Sequence, residues 1–150
     1  MQEAKTIWFN GSLIPWKEAN VHVLTHAMHY GSGAFEGMRA YEIDGRAAIV
    51  GLDAHVQRLF DSCRVLYMDL PFTPEQVSTG IRDTIQSNGH TSCYIRPLAF
   101  RGYAEIGVMP DACPVELAIA TFPWGTYHGT DGVENGVDVG VSSWRRMAPD

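Results

Sequence analysis

Apolar positions along the chain change their period several times, and each change marks an element. Near the amino end, TIWF (6–9) and SLIP (12–15) flank Asn10-Gly11, a dipeptide in which both residues tolerate positive φ, so the chain is predicted to open as a hairpin. A second hairpin is predicted for FEGMRAYEI and RAAIV around Asp44-Gly45, on the same grounds. Between the two, Thr25 is placed to cap a short helical turn that runs through Tyr30.

Beyond the second hairpin the period lengthens. Leu52, Val56, Leu59, Phe60, Cys63 and Leu66 recur at steps of three and four residues, which lays one stripe along a helix, with Asp53 near its start. A second helix is predicted from Thr73, where Thr-Pro-Glu-Gln combines an N-cap, a proline at the first helical position and a capping-box Gln76. Asn88-Gly89 ends it, and Val77, Ile81 and Ile85 form its inner stripe. Strand patterns follow at 93–100, 115–122 and 137–144, separated by loops that carry Gly and Pro. Hairpins, two principal helices and then strands predict an α+β domain with a mainly antiparallel sheet, a single unit over residues 1–150 without repeat, low-complexity tract or linker. Gly102 to Pro114 is the longest loop expected ahead of Trp124, and loops of that length are often functional.

Composition narrows the function classes. With 45% hydrophobic and 19% charged residues, the 150-residue chain has the make-up of a folded domain rather than of a disordered segment. Its net charge of −6 is spread along the sequence and disfavours nucleic acid and anionic membranes, so any anionic ligand must be held by local arginines. The opening MQEAKTIWFNGSL has no apolar signal region and no stretch approaches the roughly 20 apolar residues of a membrane span, which leads to an expectation of the cytoplasm. Cys63, Cys93 and Cys113 are odd in number and widely spaced, suiting reduced buried thiols better than disulfides or zinc.

Strand alternation converts spacing into geometry. Tyr94, Arg96, Leu98 and Phe100 should share one face. A guanidinium beside a phenol can grip a carboxylate, each charge-assisted bond contributing about 1.5 to 3 kcal/mol. The same pair on an edge strand facing solvent would fit the spacing equally well. Phe35, Gly37, Arg39 and Tyr41 should also share a face, with Gly37 either leaving room for a flat ligand or marking a bulge. Arg58 sits beside the apolar stripe of its helix, where it could bind a phosphate or simply be solvated. Trp124 and Tyr127, in PWGTY, suit a pocket wall with a polar tip, or core. Gly31, Gly33 and Gly37 miss the dinucleotide fingerprint, Ser32 is not in a nucleophile elbow, and His26 with His29 lacks a third ligand, so no metal site is expected.

Taken in order, IWFNGSLIPW, VHVLTHAMHYGSGAFEGMRAY, HVQRLFDSCRVL, SCYIRPLAFRG, FPWGTY and VSSWRRMAP resemble the amino-terminal domain of class IV pyridoxal-phosphate aminotransferases, and within them the branched-chain amino acid aminotransferases. The D-amino acid aminotransferases and aminodeoxychorismate lyases share the fold but differ from HYGSGAFEGMR and YIRP. The resemblance implies pyridoxal 5′-phosphate as cofactor and transfer of an amino group between leucine, isoleucine or valine and 2-oxoglutarate. It implies that Arg58 holds the cofactor phosphate, and that Tyr94 and Arg96 receive substrate carboxylates, Arg96 the distal one. By the same resemblance Phe35, Gly37, Trp124 and Tyr127 wall the side-chain pocket, while Tyr30 and Val108 reach across the interface of a homodimer or higher homo-oligomer, making the 102–114 loop a lid on the neighbouring subunit. The family's Schiff-base lysine is expected after Asp150 and the carboxylate for the pyridine nitrogen later still, whereas the only lysines here are Lys5 and Lys17. Transamination needs that amine, so these residues alone are expected to be inactive. The competing expectations are a stand-alone dimerisation or small-ligand-binding module, and a D-amino acid aminotransferase relative.

Overall fold

The computed structural model describes residues 2–125 and 129–147. Its first hairpin pairs β1 (Thr6–Phe9) with β2 (Ser12–Pro15), and the turn forms because Asn10 and Gly11 both take positive φ, at 47° and 96°. Asp44 and Gly45 do the same, at 50° and 74°, between β4 (Met38–Ile43) and β5 (Arg46–Ile49). With β3 (Gly33–Phe35), β6 (Cys93–Arg101) and β7 (Val115–Phe122) these make one antiparallel sheet in the order β2-β1-β7-β6-β4-β5, β3 also lying against β6. The α+β class is as expected.

β3 and β4 follow a single register along β6, Phe35 facing Leu98 and Met38 facing Ile95, yet two residues between them leave the ladder. The cause is Pro97 in the middle of β6. Glu36 donates its backbone N–H to the Pro97 carbonyl at 3.0 Å, and proline has no N–H to return.

Two helices cover one face of the sheet. Helix α2 (Leu52–Val65) buries Leu52, Val56, Leu59 and Cys63; the expected stripe fails only at its end, where the helix has stopped before an exposed Leu66. Helix α3 (Pro74–Asn88) has the full capping box, with Thr73 Oγ1 accepting from the Gln76 N–H and Gln76 Oε1 from the Thr73 N–H, and closes at Gly89 with φ 67°. Its buried stripe of Val77, Ile81 and Ile85 meets Ile95, Leu117 and Ile119 of the sheet. Gly80 lets α3 come close: a Cβ there would lie 2.9 Å from Trp8 Cε2 and 3.2 Å from Ile119 Cδ1. Asn88 fastens the helix end to the sheet, its Oδ1 accepting from the N–H groups of Lys5 and Thr6 and its Nδ2 donating to Thr6 O and Thr121 Oγ1.

Beside the two principal helices stand α1 (His26–Tyr30), the short turn expected after Thr25, and α4 (Gly129–Asn135), which was not expected. Thr25 precedes α1 as anticipated but makes no side-chain cap; the buried residue leaves the first turn to other partners. The expectation of a strand at 137–144 is corrected: these residues form no helix or strand and are exposed, Trp144 to 90%. Their β-forming composition has no neighbouring strand to pair with among the described residues, and an unpaired strand leaves its backbone groups unsatisfied. The 102–114 segment is a loop, as expected. No helix among the described residues is long and apolar enough to cross a membrane.

Candidate functional site

The face of the sheet away from α2 and α3 carries the alternate residues of β1, β6 and β7. Ile7, Phe9, Leu98, Phe100, Ala118 and Ala120 meet Phe35 and part of α1 around a mainly apolar cavity of about 520 Å³. Arg96 is its charged member. The Arg96 guanidinium lies 4.3 Å from the centre of the Phe35 ring and donates from Nη2 to the Tyr94 hydroxyl at 2.7 Å. Its Nε is buried and has no hydrogen-bond partner among the described residues. Tyr94 and Arg96 therefore meet, as strand alternation required.

Gly37 is needed for a reason other than ligand access. A Cβ at position 37 would overlap the Tyr94 hydroxyl, so the space that spacing alone left open to a flat ligand is filled by the phenol. Trp124 continues the wall, its ring 4.6 Å from that of Tyr94 and 5.6 Å from that of Phe122. Its carbonyl and that of Gly125 accept from Arg39, which ties the end of β7 to β4. Tyr127 lies outside the described residues.

Arg58 is placed differently. Its Nε and Nη2 both donate to the Glu36 carboxylate at 2.6 Å, and the Glu36 Oε2 also takes His55 Nδ1 at 2.8 Å. The carboxylate is only 3% exposed whereas Arg58 is 66% exposed. The Arg58 hydrogen bond, with a smaller contribution from His55, holds the Glu36 carboxyl below its ordinary value despite burial. Glu36 was not singled out from sequence, although it stands in the AFEG segment, and a helical H-x-x-R one turn apart was the signal that an acid would be gripped there. Three consecutive residues thus serve three partners: Phe35 underlies Arg96, Glu36 fixes Arg58, and Gly37 admits Tyr94. Arg58, Tyr94, Gly37 and Trp124 do not themselves line the cavity that holds Phe35 and Arg96.

On the rim, α1 and the 102–114 loop are fastened together. The Tyr30 hydroxyl donates to Ile106 O at 2.8 Å, and the buried His26 ring stacks on Tyr30 while bonding Ser32 Oγ at 2.7 Å and Gly107 O at 3.1 Å. Tyr30 and Val108 consequently belong to one projecting unit, with Val108 77% exposed. His26 is engaged in that role, and no three His, Cys, Asp or Glu side chains assemble as a metal would require among the described residues. The three cysteines are buried and free; burial pushes Cys63 and Cys93 up to about 11, which keeps them as neutral thiols.

The chain is similar to known proteins over almost its whole length. A branched-chain-amino-acid aminotransferase of Escherichia coli (strain K12) is 42% identical over 149 residues, 99% of this chain and 48% of that protein. The crystal structure of an Escherichia coli branched-chain amino acid aminotransferase superposes with a TM-score of 0.94 at 41% identity, covering 99% of this chain and 49% of that one. A branched-chain aminotransferase from the thermophilic archaeon Thermoproteus uzoniensis, solved with norvaline, superposes with a TM-score of 0.79 at 33% identity, covering 83% and 42%. The chain spans about half the length of the relatives it matches. Residues 33–150, from the strand that carries Phe35 onward, match the family model for amino-transferase class IV, and the chain belongs to that family.

Proposed function

We propose that this chain is the amino-terminal, substrate-gripping domain of a pyridoxal 5′-phosphate-dependent aminotransferase that works as a cytoplasmic homodimer and moves an amino group between leucine, isoleucine or valine and 2-oxoglutarate. The observation that carries this reading is the Tyr94–Arg96 pair, stacked on Phe35 at the edge of an apolar cavity. An amino-group exchange of this kind must accept an aliphatic side chain and an acidic one in the same place. An apolar wall with a single arginine at its margin meets both demands.

The residues also fit the cofactor's phosphate: Arg58 presents an exposed guanidinium whose Nη1 bonds no described residue. When bound, the pyridoxal group supplies the electron sink for the transfer. Around it Arg58 would hold the phosphate, Tyr94 and Arg96 would receive carboxylates, and Phe35, Gly37, Trp124 and Tyr127 would bound the side chain. Tyr30 and Val108 would come from the second subunit, on the arm that His26 braces. The amine that carries the cofactor would come from the family's lysine, expected after Asp150, rather than from Lys5 or Lys17.

The test is Arg96→Met in the full-length protein. The KM for 2-oxoglutarate should rise at least about tenfold while that for leucine changes little, since one charge-assisted bond is at stake. Equal effects on both would overturn the assignment of Arg96. The 150 residues alone, given pyridoxal 5′-phosphate, should develop no imine absorbance band.

A further inference from the structure

An arginine two-thirds exposed would ordinarily sample many rotamers, and one that must wait for a phosphate gains from being held. Arg58 is held from behind. Both oxygens of the Glu36 carboxylate meet it, and that carboxylate is itself fixed: its backbone N–H is bonded to Pro97 O, its Oε2 to His55, and its two chain neighbours are pressed against Arg96 and Tyr94. We propose that Glu36 is a positioning residue for cofactor phosphate: it takes the Nε and Nη2 edge of Arg58 and leaves Nη1 as the donor free to meet the anion. The proposal rests on the assignment of Arg58 to the phosphate made above.

Two effects oppose each other, which makes the claim testable. A carboxylate close to a phosphate site weakens its attraction for anions, so charge alone predicts that removing Glu36 tightens phosphate binding. Orientation predicts the reverse. Arg58 lies largely in water, where the charge effect is screened, whereas loss of the clamp releases every rotamer of the side chain, so orientation should prevail.

The experiment compares pyridoxamine 5′-phosphate with pyridoxamine, neither of which needs the reactive lysine to bind, on the full-length protein by titration calorimetry. Glu36→Ala should weaken the phosphorylated ligand about tenfold or more and leave pyridoxamine within about twofold, because only the phosphate interaction is touched. In an Arg58→Ala background the same substitution should have no further effect, since a residue acting only through Arg58 has nothing left to position. Unchanged or tighter binding, equal loss for both ligands, or a loss additive with Arg58→Ala would each overturn the proposal and identify Glu36 as a structural acid only. If Arg58→Ala itself spares phosphate-dependent binding, the assignment of Arg58 falls and this inference falls with it. Should Glu36→Ala not fold, Glu36→Gln, which keeps the shape and one acceptor, carries the same cycle: a smaller phosphate-specific loss supports positioning, and none overturns it.

Discussion

At the scale of single residues, two substitutions separate what the sequence made visible from what it concealed. Gly37→Ala places a methyl group against the Tyr94 ring and hydroxyl, which cannot yield without breaking the Tyr94–Arg96 bond. Overpacking of this kind costs about 1 to 3 kcal/mol, and the expected outcome is a lower urea midpoint than wild type; an unchanged midpoint would show that Tyr94 swings away freely. Glu36 sets a pH dependence. Its carboxyl is held by Arg58 below the ordinary value of 4.5, so the folded state favours the ionised form. That stability is present above 4.5 and is lost as pH falls through the depressed folded value, and Glu36→Gln should flatten the acid limb of a stability profile measured by urea unfolding. Burial raises the Glu116 carboxyl, which acts with the opposite sign: its contribution is full below 4.5 and lost as pH rises. Tyr94 and Arg96 were legible because two-residue spacing on a strand dictates a shared face. Glu36 was not, since its partners His55 and Arg58 lie 19 and 22 residues away and only folding brings them near.

At the scale of elements, local chemistry was readable wherever the signal and its effect lie within a few residues. Asn10-Gly11, Asp44-Gly45 and the Thr73 capping box specify their turns and helix start without reference to the rest of the chain. The break between β3 and β4 escaped because its cause, Pro97, sits on another strand, and the 137–144 pattern misled because β propensity needs a partner strand to be realised. The contact of α3 with β1 offers a test in which two magnitudes compete. Replacing Gly80 by Ala should gain about 1 kcal/mol of helix propensity and lose about 1 to 3 kcal/mol through the forced approach to Trp8, a buried indole with little freedom to move. A net fall in melting temperature is expected. A rise would mean that the helix lifts off the sheet at small cost.

At the scale of the whole molecule, one face of the sheet is closed by two helices and the other presents a cavity. Phe35, Met28, Tyr30, Leu98 and Val108 are all exposed there or on the adjoining arm. Apolar groups gathered on one side favour association, so light scattering on the 150-residue chain should report a mass that rises with concentration. A constant monomer mass would argue that this face is satisfied in isolation. The Phe35-Glu36-Gly37 triplet has a further consequence for anyone who would alter substrate preference. Since the backbone alternates, a one-residue insertion or deletion in it would exchange inside for outside, burying an aromatic where the acid now sits and turning the acid toward Tyr94 and Arg96. If Arg96 and Arg58 have the roles proposed, the grip on the substrate and the grip on the phosphate are joined through three consecutive residues, and shifting the main chain to retune one should disturb the other.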